Sequence, residues 1–146
     1  GTETFWDRST LYALRGTIAA GEVGRGMAFL KKYSQRRLLG DHVPYAIEAW
    51  PEGNQRHLSA ENGLYCRIYT EGLFGIRPTG LRSFEITPRL PQEWEFANLN
   101  RVRAFGADFD IQVKRAGGSK LAVTIVNGKK TIKKTISEGQ TITVRL

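Results

Sequence analysis

The sequence predicts an α+β protein in which N-terminal helices are followed by an antiparallel β-sandwich. Two observations predict this class. Hydrophobic residues recur at helical spacing before about residue 80, and they alternate with polar residues after it. The junction, Ile76–Ser83, contains Pro78 and Gly80, which interrupt regular structure. Because helices come first and strands second, we expect two domains, at residues 1–78 and 79–146.

The first two helices are predicted from apolar stripes. One stripe consists of Leu11, Leu14 and Ile18, and either Thr4 or Asp7 would cap its start. A second run, from about residue 22 to residue 39, has its apolar face at Met27, Leu30, Tyr33 and Leu38. Arg36 and Arg37 lie in its last turns, where positive charge suits the negative end of the helix dipole.

A third helix is predicted to begin at Ser59, a good N-cap, and to end before Gly75 and Pro78. Its apolar positions include Leu64 and Ile68. The chain's one cysteine, Cys66, lies in this stretch and is expected to be a buried, inert thiol.

The strands are predicted from alternation with a period of two. Four such runs are centred on Phe84–Ile86, Phe109–Val113, Leu121–Ile125 and Ile142–Leu146. Asn127-Gly128 is a strong hairpin signal, and Glu138-Gly139 marks a second turn. Short strands joined by turns are typical of an antiparallel sandwich.

The connection between the second and third helices is rich in functional side chains. Tyr45–Tyr65 contains three glutamates, a histidine, a tryptophan and two terminal tyrosines. Long connections in compact domains are usually functional or disordered, and the aromatic content argues against disorder. Aromatic faces together with carboxylates and planar polar groups are typical of a sugar-binding site.

A family resemblance is carried by "HLSAENGLYCRIYTEGLFGIRPTGLRSFEITPRLPQEW", His57 to Trp94. The sequence resembles the end of the catalytic barrel of a six-hairpin, (α/α)6 glycoside hydrolase and the start of its C-terminal β-sandwich. α-L-Rhamnosidase-like enzymes of glycoside hydrolase family 78 and related disaccharide phosphorylases share this layout. The resemblance implies that residues 1–78 are the last helices of an incomplete barrel, and that the parent protein is periplasmic or secreted.

The resemblance also implies residue roles. In "AIEAW", Glu48 followed by Trp50 matches the catalytic base of the rhamnosidase-like members, and His57 matches a histidine near the sugar. The gap from Glu48 to His57 is shorter than in rhamnosidases, and Leu58-Ser59 replaces their Gly-Ser pair. Substrate contacts are predicted at Trp50, His57, Asn54, Glu52 and Glu61. The implied reaction is hydrolysis with inversion, with the general acid in the missing part of the barrel, so the chain alone should be inactive.

Each candidate also has a simpler interpretation. Glu48 fits an exposed loop charge, Glu52 fits a turn, and Glu61 fits the first turn of a helix, where a carboxylate favours the dipole. Trp50 fits a core position, and His57 fits a structural hydrogen-bonding role. Under these interpretations the chain is a non-catalytic carbohydrate-binding or structural β-sandwich module.

Charge and composition limit the partners. The net charge is +8, and most of it lies after residue 80. The basic "GKKTIKK", residues 128–134, is predicted to be a solvated strand face, and no nucleic-acid or membrane partner is expected. We expect a carbohydrate substrate, contact with the rest of the barrel in the parent, and self-association through an exposed half-barrel face. We expect no cofactor, and the spacing of the histidines and the cysteine predicts no metal site.

Overall fold

A computed structural model describes residues 5–39, 49–50 and 59–146 of the chain. It divides into two compact units, Gly1–Gly72 and Leu73–Leu146. The first holds helices and the second antiparallel strands, which confirms the predicted α+β class with a C-terminal sandwich. None of the helices described combines the length and apolar character that crossing a bilayer requires.

The helical unit contains three α-helices and a short ribbon of two strands. The helices are α1 (Asp7–Ala19), α2 (Val23–Arg37) and α3 (Ser59–Arg67), and a π-helical segment, Ile68–Leu73, continues α3. The ribbon pairs β1 (Phe5–Trp6) with β2 (Ala49–Trp50).

Helices α1 and α2 approach each other closely at a glycine. A β-carbon built on Gly26 would lie 2.5 Å from Cγ1 of Ile18, so a larger side chain there would push the helices apart. The buried stripe of α1 contains the predicted Leu11, Leu14 and Ile18. On α2, Leu30 and Tyr33 are buried as predicted.

Cys66 is exposed, so the prediction of a buried thiol was wrong. Leu64 and Ile68 are buried on either side of it in the sequence. A residue two positions from each lies about 200° around an α-helix from both, and therefore on the opposite face. The apolar composition of this stretch outweighed its periodicity in the prediction.

The sandwich consists of a three-stranded and a four-stranded antiparallel sheet. The first has the order β3-β4-β9, with β3 (Arg77–Gly80), β4 (Ser83–Ile86) and β9 (Ile142–Arg145). The second has the order β5-β6-β7-β8, with β5 (Phe96–Ala104), β6 (Ala107–Arg115), β7 (Lys120–Asn127) and β8 (Lys130–Ser137).

Aromatic stacking joins the two sheets. The ring of Phe84, in β4, lies 5.5 Å from that of Phe109 in β6 and 4.8 Å from that of Phe105. Both sheets turn apolar side chains inward, and the buried set includes Ile86, Val144, Ile111, Val113, Leu121, Val123 and Ile125. The predicted alternation in these strands is therefore confirmed.

The predicted hairpin joins β7 to β8, and Glu138 and Gly139 form the second predicted turn, between β8 and β9. Asn127 pairs with Lys130, so Gly128 and Lys129 form the turn between β7 and β8. Gly128 has φ +56°, a backbone conformation that glycine adopts without steric cost. Within β8 the lysines are exposed, which confirms the solvated face predicted for the basic run.

Candidate functional site

Only two of the six predicted site residues belong to the part of the chain that the structure describes. Glu48, Glu52, Asn54 and His57 lie outside the described residues. Trp50 is described through its main chain, in β2, and Glu61 is described in full, in the first turn of α3.

The main chain fixes the position of Trp50 relative to α1. In the ribbon, Phe5 is paired with Trp50 and Trp6 with Ala49. Trp6 directly precedes Asp7, the first residue of α1. The residue that follows Glu48 in the sequence is thus held against the amino end of α1.

The amino end of α1 is anchored by a buried ion pair. Nε of Arg37 lies 2.9 Å from Oδ2 and 3.1 Å from Oδ1 of Asp7, and both side chains are almost completely buried. The hydroxyl of Tyr33 donates to Oδ2 of Asp7 at 3.3 Å. One of the two predicted caps, Asp7, is therefore wrong, because Asp7 is the first residue of the helix. The N-cap residue is Trp6, which makes no side-chain capping hydrogen bond.

A second ion pair joins α1 to the amino end of α3. Nε of Arg8 donates to Oε1 of Glu61 at 2.7 Å. Glu61 is completely buried, whereas the Arg8 side chain is 40% exposed. Oε2 of Glu61 has no hydrogen-bond partner among the described residues. A buried acceptor without a donor costs about 1–3 kcal/mol, and the hydrogen bond from Arg8 offsets only part of the cost of burying this carboxylate.

A row of hydroxyl groups lies between α2 and α3. The Tyr65 hydroxyl is 2.7 Å from Oγ of Ser34 and 3.1 Å from the Tyr69 hydroxyl. Burial, followed by the hydrogen bond to Tyr65, raises the pKa of Tyr69. Burial and then the neighbouring Asp7 carboxylate raise the pKa of Tyr33. Both phenols therefore stay neutral at ordinary pH and act here as hydrogen-bonding groups.

The prediction from sequence did not identify Asp7, Arg8 or Arg37 as parts of a buried network. A signal for two of them was present. Asp7 lies four residues before Leu11, and Arg37 lies four residues after Tyr33, so each continues a buried stripe of its helix. A charged residue on an apolar stripe is either paired or functional, because an isolated charge in the interior is costly.

Neither metal ligands among the described residues nor similarity to known proteins assigns a function to the chain. Among residues 5–39, 49–50 and 59–146 there is no group of three or more His, Cys, Asp or Glu side chains that could hold a metal ion. Comparisons with protein-family models, curated proteins and solved structures find no significant match to the chain.

Proposed function

We propose that this chain is the C-terminal part of an inverting glycoside hydrolase, and that Glu48 is the catalytic base. The main support is the order of helices before an antiparallel sandwich, which agrees with the layout of the similar enzymes. The buried Glu61 carboxylate, held by Arg8, fixes the amino end of α3, which directly follows the segment of the proposed site residues.

The geometry of the helical unit supports a shared location for the proposed residues. Arg8, which holds Glu61, lies two positions after Trp6, and Trp6 pairs with Ala49. Ala49 stands between the proposed base, Glu48, and the proposed sugar contact, Trp50. Strand pairing thus brings Ala49, which neighbours Glu48 in the sequence, to the amino end of α1, where Arg8 binds the buried carboxylate of Glu61.

Burial separates the roles of the rival glutamates. A base must reach a water molecule that attacks the sugar, and it must take a proton from it. Glu61 is completely buried and bound to Arg8, which favours a hydrogen-bonding role for it. Glu48 then remains the preferred base, and Glu52 its rival.

The proposed reaction needs two carboxyl groups on opposite sides of the scissile bond, about 6.5–9.5 Å apart. Glu48 takes a proton from water as the water oxygen bonds to the anomeric carbon. The general acid, in an earlier barrel loop of the parent, protonates the leaving oxygen as its bond to that carbon breaks. If phosphate attacked in place of water, the parent would be a phosphorylase, and because phosphate is already ionised the reaction would not need Glu48 as a base.

Kinetics of the full-length parent protein test the proposal. We expect Glu48→Gln to lower kcat by about three orders of magnitude or more while KM changes little, because the amide keeps the shape but cannot take the proton. Glu52→Gln, a matched removal of one carboxylate, should keep kcat within about threefold. An unchanged kcat in Glu48→Gln, or a large loss in Glu52→Gln alone, would remove Glu48 from the mechanism.

A non-catalytic carbohydrate-binding or structural module is the second candidate. The two differ in what the complete gene encodes and in what the parent does to a glycoside. A parent that binds oligosaccharides but releases no reducing sugar would favour the second candidate. The present chain alone should release none in either case.

A further inference from the structure

The outward face of the four-stranded sheet carries two polar rows. Register places Asn98, Gln112, Thr124 and Lys133 next to one another across β5, β6, β7 and β8. The adjacent row consists of Phe96, Lys114, Ala122 and Thr135. We call these eight residues the sheet platform. All of them are exposed or half-buried, whereas the intervening residues of β6 and β7 face the core.

The sheet platform extends across the full width of the four-stranded sheet. Adjacent strands lie about 4.8 Å apart, so a row across four strands spans roughly 14 Å. Ala122, the smallest side chain, lies between Lys114 and Thr135 in its row. Phe96 is 57% exposed at the edge of that row. An exposed aromatic on a polar surface offers a stacking face to a sugar ring.

The charge of the platform is positive and uncompensated. Lys114 and Lys133, with Lys120 nearby on β7, make no ion pair within the described part of the chain. Of the carboxylates on the same face, Asp108 lies 3.7 Å from Nε of Arg103, and Oδ1 of Asp110 accepts from the main-chain N–H of Arg101 at 2.6 Å, so neither forms an ion pair with these lysines.

From this combination we infer that the sheet platform binds an anionic polysaccharide chain. The lysines would form ion pairs with the carboxylates of the polysaccharide. The side-chain amides and hydroxyl of Asn98, Gln112 and Thr124 would hydrogen-bond to its hydroxyl groups, and Phe96 would stack on the face of one sugar ring. A nucleic-acid single strand is a poorer fit, because such sites stack successive bases on several aromatic residues. An extended acidic peptide is also a poorer fit, because main-chain groups on this face are used between strands.

Binding of polygalacturonate to the chain, measured by titration calorimetry at low salt, tests this inference. We expect binding that weakens as salt rises and that falls strongly when the carboxylates of the polymer are methyl-esterified, because the ester keeps the sugar and removes the charge. Lys114→Gln/Lys133→Gln should weaken binding about tenfold. Phe96→Ala should weaken it roughly fivefold, with little change in its salt dependence.

Lys31→Gln/Lys32→Gln is the matched control, because it removes two exposed positive charges from α2 and none from the platform. It should leave the affinity within about twofold, since only long-range attraction is lost. All variants should keep the melting temperature of the unsubstituted chain, because the replaced side chains lie at the surface.

Three results would overturn the inference. The first is the absence of polygalacturonate binding. The second is a loss of affinity in Lys31→Gln/Lys32→Gln as large as that in Lys114→Gln/Lys133→Gln. The third is binding of oligothymidylate or polyglutamate as tight as that of polygalacturonate and not weakened by Phe96→Ala, which would indicate general attraction of polyanions. The inference does not depend on hydrolase activity, so loss of this binding would leave the proposed role of Glu48 intact, and an inactive parent would leave the platform intact.

Discussion

The helical unit and the sandwich hold together by different means. The completely or almost completely buried charged side chains that the structure describes, Asp7, Arg37 and Glu61, all belong to the helical unit. The sandwich has a buried core of apolar side chains, and the ion pairs described in it are less buried: that of Arg103 with Asp108 lies at the surface and that of Arg115 with Glu138 is half-buried.

The difference favours a role beyond stability for the buried charges of the helical unit. Replacing a buried ion pair by well-packed apolar residues is often neutral or stabilising, so burial of charge is weak support for a purely structural role. The sandwich reaches a packed core without buried charge. The charges of the helical unit fix the amino ends of α1 and α3, close along the chain to the proposed site.

The largest effect is expected when the buried pair is broken. Asp7→Asn leaves the Arg37 guanidinium buried against a neutral amide, and we expect it to destabilise the helical unit by about 3–5 kcal/mol. Asp108→Asn makes the same chemical change in the exposed sandwich pair and should cost no more than about 1 kcal/mol. Urea unfolding followed by circular dichroism measures both. Equal costs would contradict the contrast between the units.

A smaller effect is expected from pH. Because the folded pKa of Tyr33 is raised above the ordinary value of 10.0, the folded state holds the neutral phenol. The stabilisation that comes from the neutral phenol is fully present below pH 10. It is lost as pH rises from 10 toward the folded pKa, by at most about 1.4 kcal/mol per pH unit.

Comparison with the Tyr33→Phe variant isolates this contribution. The stability advantage of wild type over Tyr33→Phe should shrink between about pH 9 and pH 11. Parallel pH curves for wild type and Tyr33→Phe would show that Tyr33 does not contribute.

The smallest effect is expected in the sandwich, at a bulge in β5. Arg101 has φ +56° and an exposed side chain, and its N–H donates to Asp110. Arg101→Gly keeps that bond and removes the left-handed strain, so we expect a gain of up to about 1 kcal/mol, reduced by the greater freedom of the unfolded chain. Asn100→Gly, without a positive φ to relieve, should be neutral or destabilising. A lower melting temperature for Arg101→Gly than for wild type would contradict the proposed strain at Arg101.

Much of the fold was predictable because one physical signal dominated locally. The spacing of Leu11, Leu14 and Ile18 predicted α1, and the alternation of Phe109, Ile111 and Val113 predicted β6. Strand β5 was not among the predicted alternating runs. Its register shifts between Leu99 and Val102, so the inward residues there are three apart and the period of two is broken.

The candidate site was less predictable, because its described parts are long-range contacts. The ion pair of Arg8 with Glu61 joins residues 53 positions apart. No local pattern specifies which of the arginines reaches this carboxylate. The first-turn position of Glu61 was predicted correctly, but its complete burial depends on how α1 and α3 pack.

The stereochemistry of hydrolysis tests the central proposal most directly. Proton NMR of the full-length parent acting on its glycoside would record the first-formed anomer before mutarotation. A base that activates water on the face opposite the leaving group predicts a product of inverted configuration. A product of retained configuration, or a parent without hydrolytic or phosphorolytic activity, would contradict the role proposed for Glu48.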